Sequence, residues 1–157
     1  MHMDLSVLRS ELILDEGMKL LAHRDSRGLL IIGVGRNLDS NPLSANEVSV
    51  IGHDGRELPI TKEQACILMV SDILTARTAL DKHLPWWRNL DEVRRRVLIN
   101  MAFNLGIRGL MKFKQTLSMT RAGNYDAAAV CMLQSTWASQ VGDRAKRLAS
   151  MMRTGVA

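Results

Sequence analysis

The sequence predicts an α+β fold, mainly helical, in which a small β-containing lobe near the N-terminus is followed by a long connecting helix and a helical remainder. Three observations carry this. The run from Leu29 to Val34 is continuously apolar and bounded by glycine-bearing turns, as a buried strand is. Thr61 and Gln64 form a capping box that opens a helical pattern of roughly 20 residues. Beyond Pro85, helical signals follow one another to the end of the chain. Its aromatic share is only 4% and it has 10 methionines, a mixture that suits an aliphatic helical core.

Taken in order, Leu5, Leu8 and Leu12 fall at helical spacing with Gly17 as a stop, so a first helix runs from about Asp4 to Glu16. Asp25-Ser26-Arg27-Gly28 reads as a turn, with Asp at its first position and Gly at its last, leading into the apolar strand. Asp54-Gly55 is a second turn signal and suggests another short strand or hairpin between Ile51 and Ile60. The helix opened by Thr61 presents Cys66, Met69, Ile73, Ala76 and Leu80 on one face. At roughly 30 Å it is long enough to join two lobes. Further helices follow from Asp91 through Leu105, Phe113 to Arg121, Asp126 to Gln140, and Asp143 to Arg153, punctuated by Gly106, Gly109, Gly123 and Gly142. The expected lobes are thus 18–60, the connecting helix 61–84, and 85–157 together with 4–16, all in a single domain.

The formal net charge of +5 raises the odds of polyanionic partners without choosing among them. Cys66 and Cys131 fit neither a metal spacing nor a disulfide framework and read as reduced, largely buried thiols. His23, His53 and His83 share no ligand spacing, so no metal and no cofactor is expected. Gly33-Val34-Gly35 lacks the third glycine and following helix of a dinucleotide fingerprint, and reads as a strand allowing close backbone approach. Trp86 and Trp87 read as packing residues. Arg94-Arg95-Arg96 and Lys112-Phe113-Lys114 read as solvated helix faces. No stretch reaches membrane-span length, and Met1-His2-Met3-Asp4-Leu5 lacks the regions of a signal peptide, so synthesis in the cytosol is expected. Met1-His2 ahead of Met3 reads as an expression remnant.

Chemistry is expected at Glu16 and Asp25, which are separated by eight residues. Glu16 falls in the last turn of the first helix, where the negative end of the helix dipole works against its charge. Asp25 lies between Arg24 and Arg27, whose charges favour its ionised form if they are near it in space. Two carboxylates held in different environments are what glycoside cleavage asks of an acid and a base, roughly 5 Å apart for retention and 6.5 to 9.5 Å for inversion. Spacing alone leaves both as ordinary exposed acids.

The stretches Asp15-Glu16-Gly17, Arg24-Asp25, Gly28 and Ile32-Gly33-Val34-Gly35-Arg36-Asn37-Leu38 resemble the active-site region of phage-type lysozymes, the T-even endolysin family. The likeness continues through Ile60-Thr61-Lys62-Glu63-Gln64-Ala65, Leu90-Asp91-Glu92-Val93-Arg94-Arg95 and Ile99 to Gly106. It ends with Trp137, Arg144-Ala145-Lys146-Arg147 and Arg153-Thr154-Gly155, so it spans nearly the whole chain. The resemblance implies a two-lobed lysozyme fold and hydrolysis of the β-1,4 bond between N-acetylmuramic acid and N-acetylglucosamine in peptidoglycan. Glu16 takes the proton-donor place, Asp25 the place that positions or activates water, and Arg144 that of an arginine paired with the acid. Asn37, Phe103 and Thr116 fall where the family touches the sugar chain or lines the cleft. Cys131 stands where a polar contact is expected, which it loses or changes. The implied setting is a monomeric phage endolysin, without nucleic acid or stable membrane insertion, waiting in the host cytoplasm until a holin releases it to the periplasm and cell wall.

Ile31 departs from the pattern. It occupies the place of the family's water-holding threonine and has no hydroxyl. An unreplaced hydrogen bond there costs about 1 to 3 kcal/mol, roughly a ten- to hundred-fold loss of rate. That motivates an alternative, a catalytically impaired wall-binding homologue. Ile31→Thr then raises activity if the missing hydroxyl limits the rate, and leaves it unchanged if water is held by other means. A basic nucleic-acid-binding domain is a further alternative, but it shows no recognition-helix motif and leaves Glu16 and Asp25 unexplained.

Overall fold

A computed structural model describes residues 5–157. The chain divides into two compact units, residues 5–75 and Ala76–Ala157, with the division falling inside one helix. The expected helix start at Asp4, and the reading of Met1 to Asp4 generally, lie outside the described residues.

The first unit begins with α1, Leu5–Glu16, whose Leu8 and Leu12 are fully buried. Gly17 stops it in the left-handed region (φ 73°), and its N–H donates to the Ile13 carbonyl at 2.8 Å. An antiparallel sheet follows in the order β1 (Lys19–Arg24), β2 (Leu30–Gly33), β3 (Arg36–Asn37). The turn between β1 and β2 is the one expected at Asp25 to Gly28, closed by the Gly28 N–H on the Asp25 carbonyl. Leu20, Ala22, Leu30 and Ile32 pack into a core with Leu38, Ile51, Ile60, Ala65 and Leu68. Because side chains alternate along a strand, Ile31 faces away from that core.

The hairpin expected between Ile51 and Ile60 is not there. Ile51 instead ends a helix, α2 (Ala45–Ile51), capped by Gly52, and residues 52–60 form bends. Asp54 supports a local turn by accepting from the Arg56 N–H, and no strand flanks it. α2 starts with a complete capping box: the Glu47 N–H donates to the Ser44 hydroxyl, and the Ser44 N–H donates to the Glu47 carboxylate. The next helix, α3 (Lys62–His83), is the long one expected, with the Thr61 and Gln64 box formed in both directions.

In the second unit, a 3-10 turn at Pro85–Asn89 buries Trp87, whose indole N–H donates to Asp81. α4 (Glu92–Met111) is capped by Asp91 and buries Val97, Leu98, Ile99 and Met101 in succession. It is interrupted at Gly106, whose backbone is non-helical. α5 (Lys114–Arg121) follows. The single helix expected from Asp126 to Gln140 is two, α6 (Tyr125–Leu133) and α7 (Thr136–Val141), because Ser135 starts a new one by capping the Ala138 N–H. α8 (Asp143–Thr154) packs against α4, α6 and α7. Met101, Met132, Met151 and Met152 are all buried, the methionine-rich interior that the composition implies.

The arginine run of α4 is not a solvated face. Arg96 is 5% exposed, and Arg94 donates to the carbonyls of Met152 and Arg153 while stacking on Tyr125 at 3.5 Å. These contacts hold the last carbonyls of α8, which lack partners within the helix. Cys66 and Cys131 are free, and half-buried rather than largely buried. Among the described residues no helix is long and apolar enough to cross a membrane.

Candidate active site

Glu16 closes α1, and its carboxylate lies over the two-residue turn Val34-Gly35 that joins β2 to β3. A methyl group on Gly35 would stand 2.6 Å from Glu16 Oε2, and the Gly35 backbone is left-handed (φ 72°). The left-handed backbone favours glycine there, and an added methyl would push the Glu16 carboxylate aside. This is the close backbone approach that Gly33-Val34-Gly35 suggests in the sequence.

Asp25 occupies the first position of the β1–β2 turn, its side chain 23% exposed. Its Oδ1 accepts from the N–H groups of Arg27 (2.9 Å) and Leu29 (3.0 Å), and its Oδ2 from the Arg27 guanidinium (3.2 Å). These bonds hold its carboxyl below the ordinary carboxylate range. The Leu29 N–H is the largest cause and Arg27 adds to it, against the opposing effect of partial burial. Arg24 does not share this work: it turns to Asp39 and the Gly28 carbonyl. Asp25 is therefore an ionised acceptor whose Oδ2 keeps lone-pair capacity.

Ile31 sits mid-sheet, directly paired with His23 on β1 and Asn37 on β3. The Asn37 side-chain oxygen accepts from the N–H groups of Asp39 and Ser40, which fixes the loop after β3. Next to it Arg36, 3% exposed, donates to Glu47 (2.7 and 3.0 Å) and to Asp72 (2.9 and 3.0 Å), tying β3 to α2 and α3. The Arg36 bonds, with the Ser44 cap adding to them, pull Glu47 down to about 2, whereas burial pushes Asp72 up despite its own bonds to Arg36. This buried triad went unread in the sequence. Its one signal was Ser44-x-x-Glu47 ahead of an apolar stretch.

The second unit carries the other expected residues. Phe103 is half-buried on α4. Thr116 is buried in the first turn of α5 and helps line a cavity of about 490 Å³ with Phe113, Cys131, Ser135 and Trp137. There Phe113 meets Trp137 edge-to-face at 5.8 Å, the indole N–H of Trp137 donates to Asn104, and Cys131 reaches Gln115 at 4.0 Å. Arg144 is buried at the start of α8 and donates twice to the Asn100 side-chain oxygen, at 3.0 and 2.7 Å.

The first unit thus holds two carboxyl groups in unlike surroundings, one at a helix end over a glycine turn and one ionised on a β-turn. The comparisons supply the class. Residues 14–153 match the family model described as "Phage lysozyme". The chain is 30% identical over 162 residues to "Probable T4-type lysozyme 1" of Dictyostelium discoideum, covering 96% of this chain and 95% of that protein. "Probable T4-type lysozyme 2" of the same organism matches with the same identity and coverage. The "Pre-baseplate central spike protein Gp5" of Enterobacteria phage T4 is 30% identical over 152 residues, 90% of this chain and 26% of the spike protein. The chain belongs to the phage lysozyme family. It is a glycoside hydrolase, a lysozyme whose substrate is peptidoglycan.

Proposed function

We propose that this lysozyme is an N-acetylmuramidase of the endolysin kind, cutting the β-1,4 bond between N-acetylmuramic acid and N-acetylglucosamine to lyse a bacterial host. Glu16 acts as general acid and protonates the leaving oxygen, and Asp25 holds the attacking water and takes its proton. The observation that carries the reading is the contrast between the two carboxyl groups. Asp25 is held ionised by two backbone N–H groups and Arg27, while Glu16 closes α1 with its carboxylate against the Gly35 turn. The likeness to the family adds Arg144 as partner of the acid and Asn37, Phe103 and Thr116 as groups along the sugar chain. The protein works as a monomer, waits in the host cytoplasm and reaches the wall when a holin opens the membrane.

Turbidity of permeabilised Gram-negative cells tests this. Clearing by the unaltered protein that disappears in Glu16→Gln supports the muramidase. Binding to walls without clearing marks an impaired homologue in which Ile31 has removed the activity, and contradicts the reading.

A further inference from the structure

Ile31 leaves the proposed reaction without a hydroxyl beside its water, and the sheet supplies a candidate replacement. His23 is the direct cross-strand partner of Ile31. Direct partners in an antiparallel sheet share a face, with Cβ atoms about 4.5–5.5 Å apart. Leu30 and Ile32 turn into the core, as do Leu20 and Ala22 on the neighbouring strand, so His23, Ile31 and Asn37 form one row on the opposite face.

His23 also carries an unexplained polar atom. Its Nδ1 is buried and has no hydrogen-bond partner among the described residues. Buried polar atoms are nearly always satisfied, and an exception in a native fold calls for an explanation, an ordered water among them. His53 shows what a structural histidine looks like in this chain: its Nδ1 accepts from the Gly55 N–H and its Nε2 lies 3.1 Å from the Pro59 carbonyl. A neutral imidazole offers one donor and one acceptor, the same repertoire as a hydroxyl. With its Cβ about 5 Å from that of Ile31, His23 stands on the face to which the side chain of residue 31 projects.

We propose that His23 is a positioning residue for the attacking water, making the hydrogen bond that Ile31 cannot make. The inference rests on the muramidase reading above. The water oxygen bonds to the anomeric carbon as the bond from that carbon to the leaving oxygen breaks. Glu16 gives its proton to that oxygen, and Asp25 accepts the proton that the water sheds. His23 orients the water and ends the step in the state in which it began.

The test is steady-state hydrolysis of purified peptidoglycan by the unaltered protein, Glu16→Gln, His23→Phe, His23→Gln, Ile31→Thr and the double variant His23→Phe with Ile31→Thr, each checked for folding by circular dichroism. His23→Phe keeps the ring's bulk without its nitrogens. It should lower kcat about ten- to a hundred-fold with KM within about twofold, while His23→Gln retains most of the rate. Ile31→Thr should restore most of the activity lost in His23→Phe. If His23→Phe leaves kcat unchanged, or loses the same factor with and without Ile31→Thr, the inference is wrong. The muramidase reading still stands in that case, provided that the unaltered protein cleaves and Glu16→Gln does not. If neither the unaltered protein nor Ile31→Thr releases product, both fall.

Discussion

The carboxylate of Glu16 lies against the backbone of Gly35, so close that a single methyl group on that residue would stand 2.6 Å from Oε2. The end of α1 therefore sits against the β2–β3 turn, and on the proposed reading the glycine is part of what aims the acid. Gly35→Ala adds both a left-handed alanine, costing about 1–2 kcal/mol, and a collision that displaces Glu16. We expect a lower melting temperature and a kcat about a hundred-fold lower, since a shift of about 1 Å at a reacting group costs that much. Thermal melting and turnover on purified walls check both; an unchanged kcat would mean that the acid is aimed by other contacts.

The acidity of Asp25 rests first on the Leu29 N–H and only then on Arg27, whose side chain is 72% exposed. Arg27→Ala should therefore move the acid limb of the kcat/KM profile upward only slightly, as exposed charge pairs contribute little. A displacement as large as that from removing the backbone bonds would show that the guanidinium carries the effect. Asp25→Asn, which loses the negative charge altogether, should abolish hydrolysis at every pH.

Arg36 joins β3 to both α2 and α3 through Glu47 and Asp72. Removing one partner of a buried pair costs about 3–5 kcal/mol, so Glu47→Gln should be strongly destabilised at neutral pH. Because the folded carboxyl titrates at about 2 against an ordinary 4.5, Glu47 contributes stability that is full above 4.5 and lost as the pH falls to about 2. The gap in stability between the two proteins should close over that window. Asp72, shifted the other way chiefly by burial, partly offsets this, and by less in Glu47→Gln because the Glu47 charge is one of the causes that raise it. Urea unfolding from pH 7 to pH 2 measures it, and a pH-independent gap contradicts the assignment.

Arg94 closes the C-terminal end of α8 while stacked on Tyr125. Arg94→Lys keeps the charge but loses the planar fork, and should cost about 1–3 kcal/mol in urea unfolding. No loss would return this arginine to the solvated face that the sequence suggests.

Local signals that act within a few residues were readable in the sequence. Gly17 stops α1, Asp25 and Gly28 make the turn, Thr61 with Gln64 opens α3, and Asp91 opens α4. What misled was a local signal whose neighbours decided otherwise. Asp54-Gly55 looks like a hairpin turn, but Ile51 before it is buried as the last residue of a helix. β1 gave little sign of itself, since Leu20-Leu21-Ala22 breaks the alternation that marks a half-buried strand. Side-chain partnerships across long separations were the least legible. Arg24 flanks Asp25 in sequence yet reaches for Asp39, and Arg36 meets Asp72 across 36 positions. The candidate acid and base stood out only through the motifs around them, and His23 next to Ile31 emerges only from the strand register.

The most direct measurement is of the new chain ends. Purified peptidoglycan is digested, reduced with borohydride and analysed by mass spectrometry, with the Glu16→Gln protein as control. The account predicts newly reduced N-acetylmuramic acid termini from the unaltered protein and none from Glu16→Gln. Reduced N-acetylglucosamine termini, or equal product from both proteins, would contradict it.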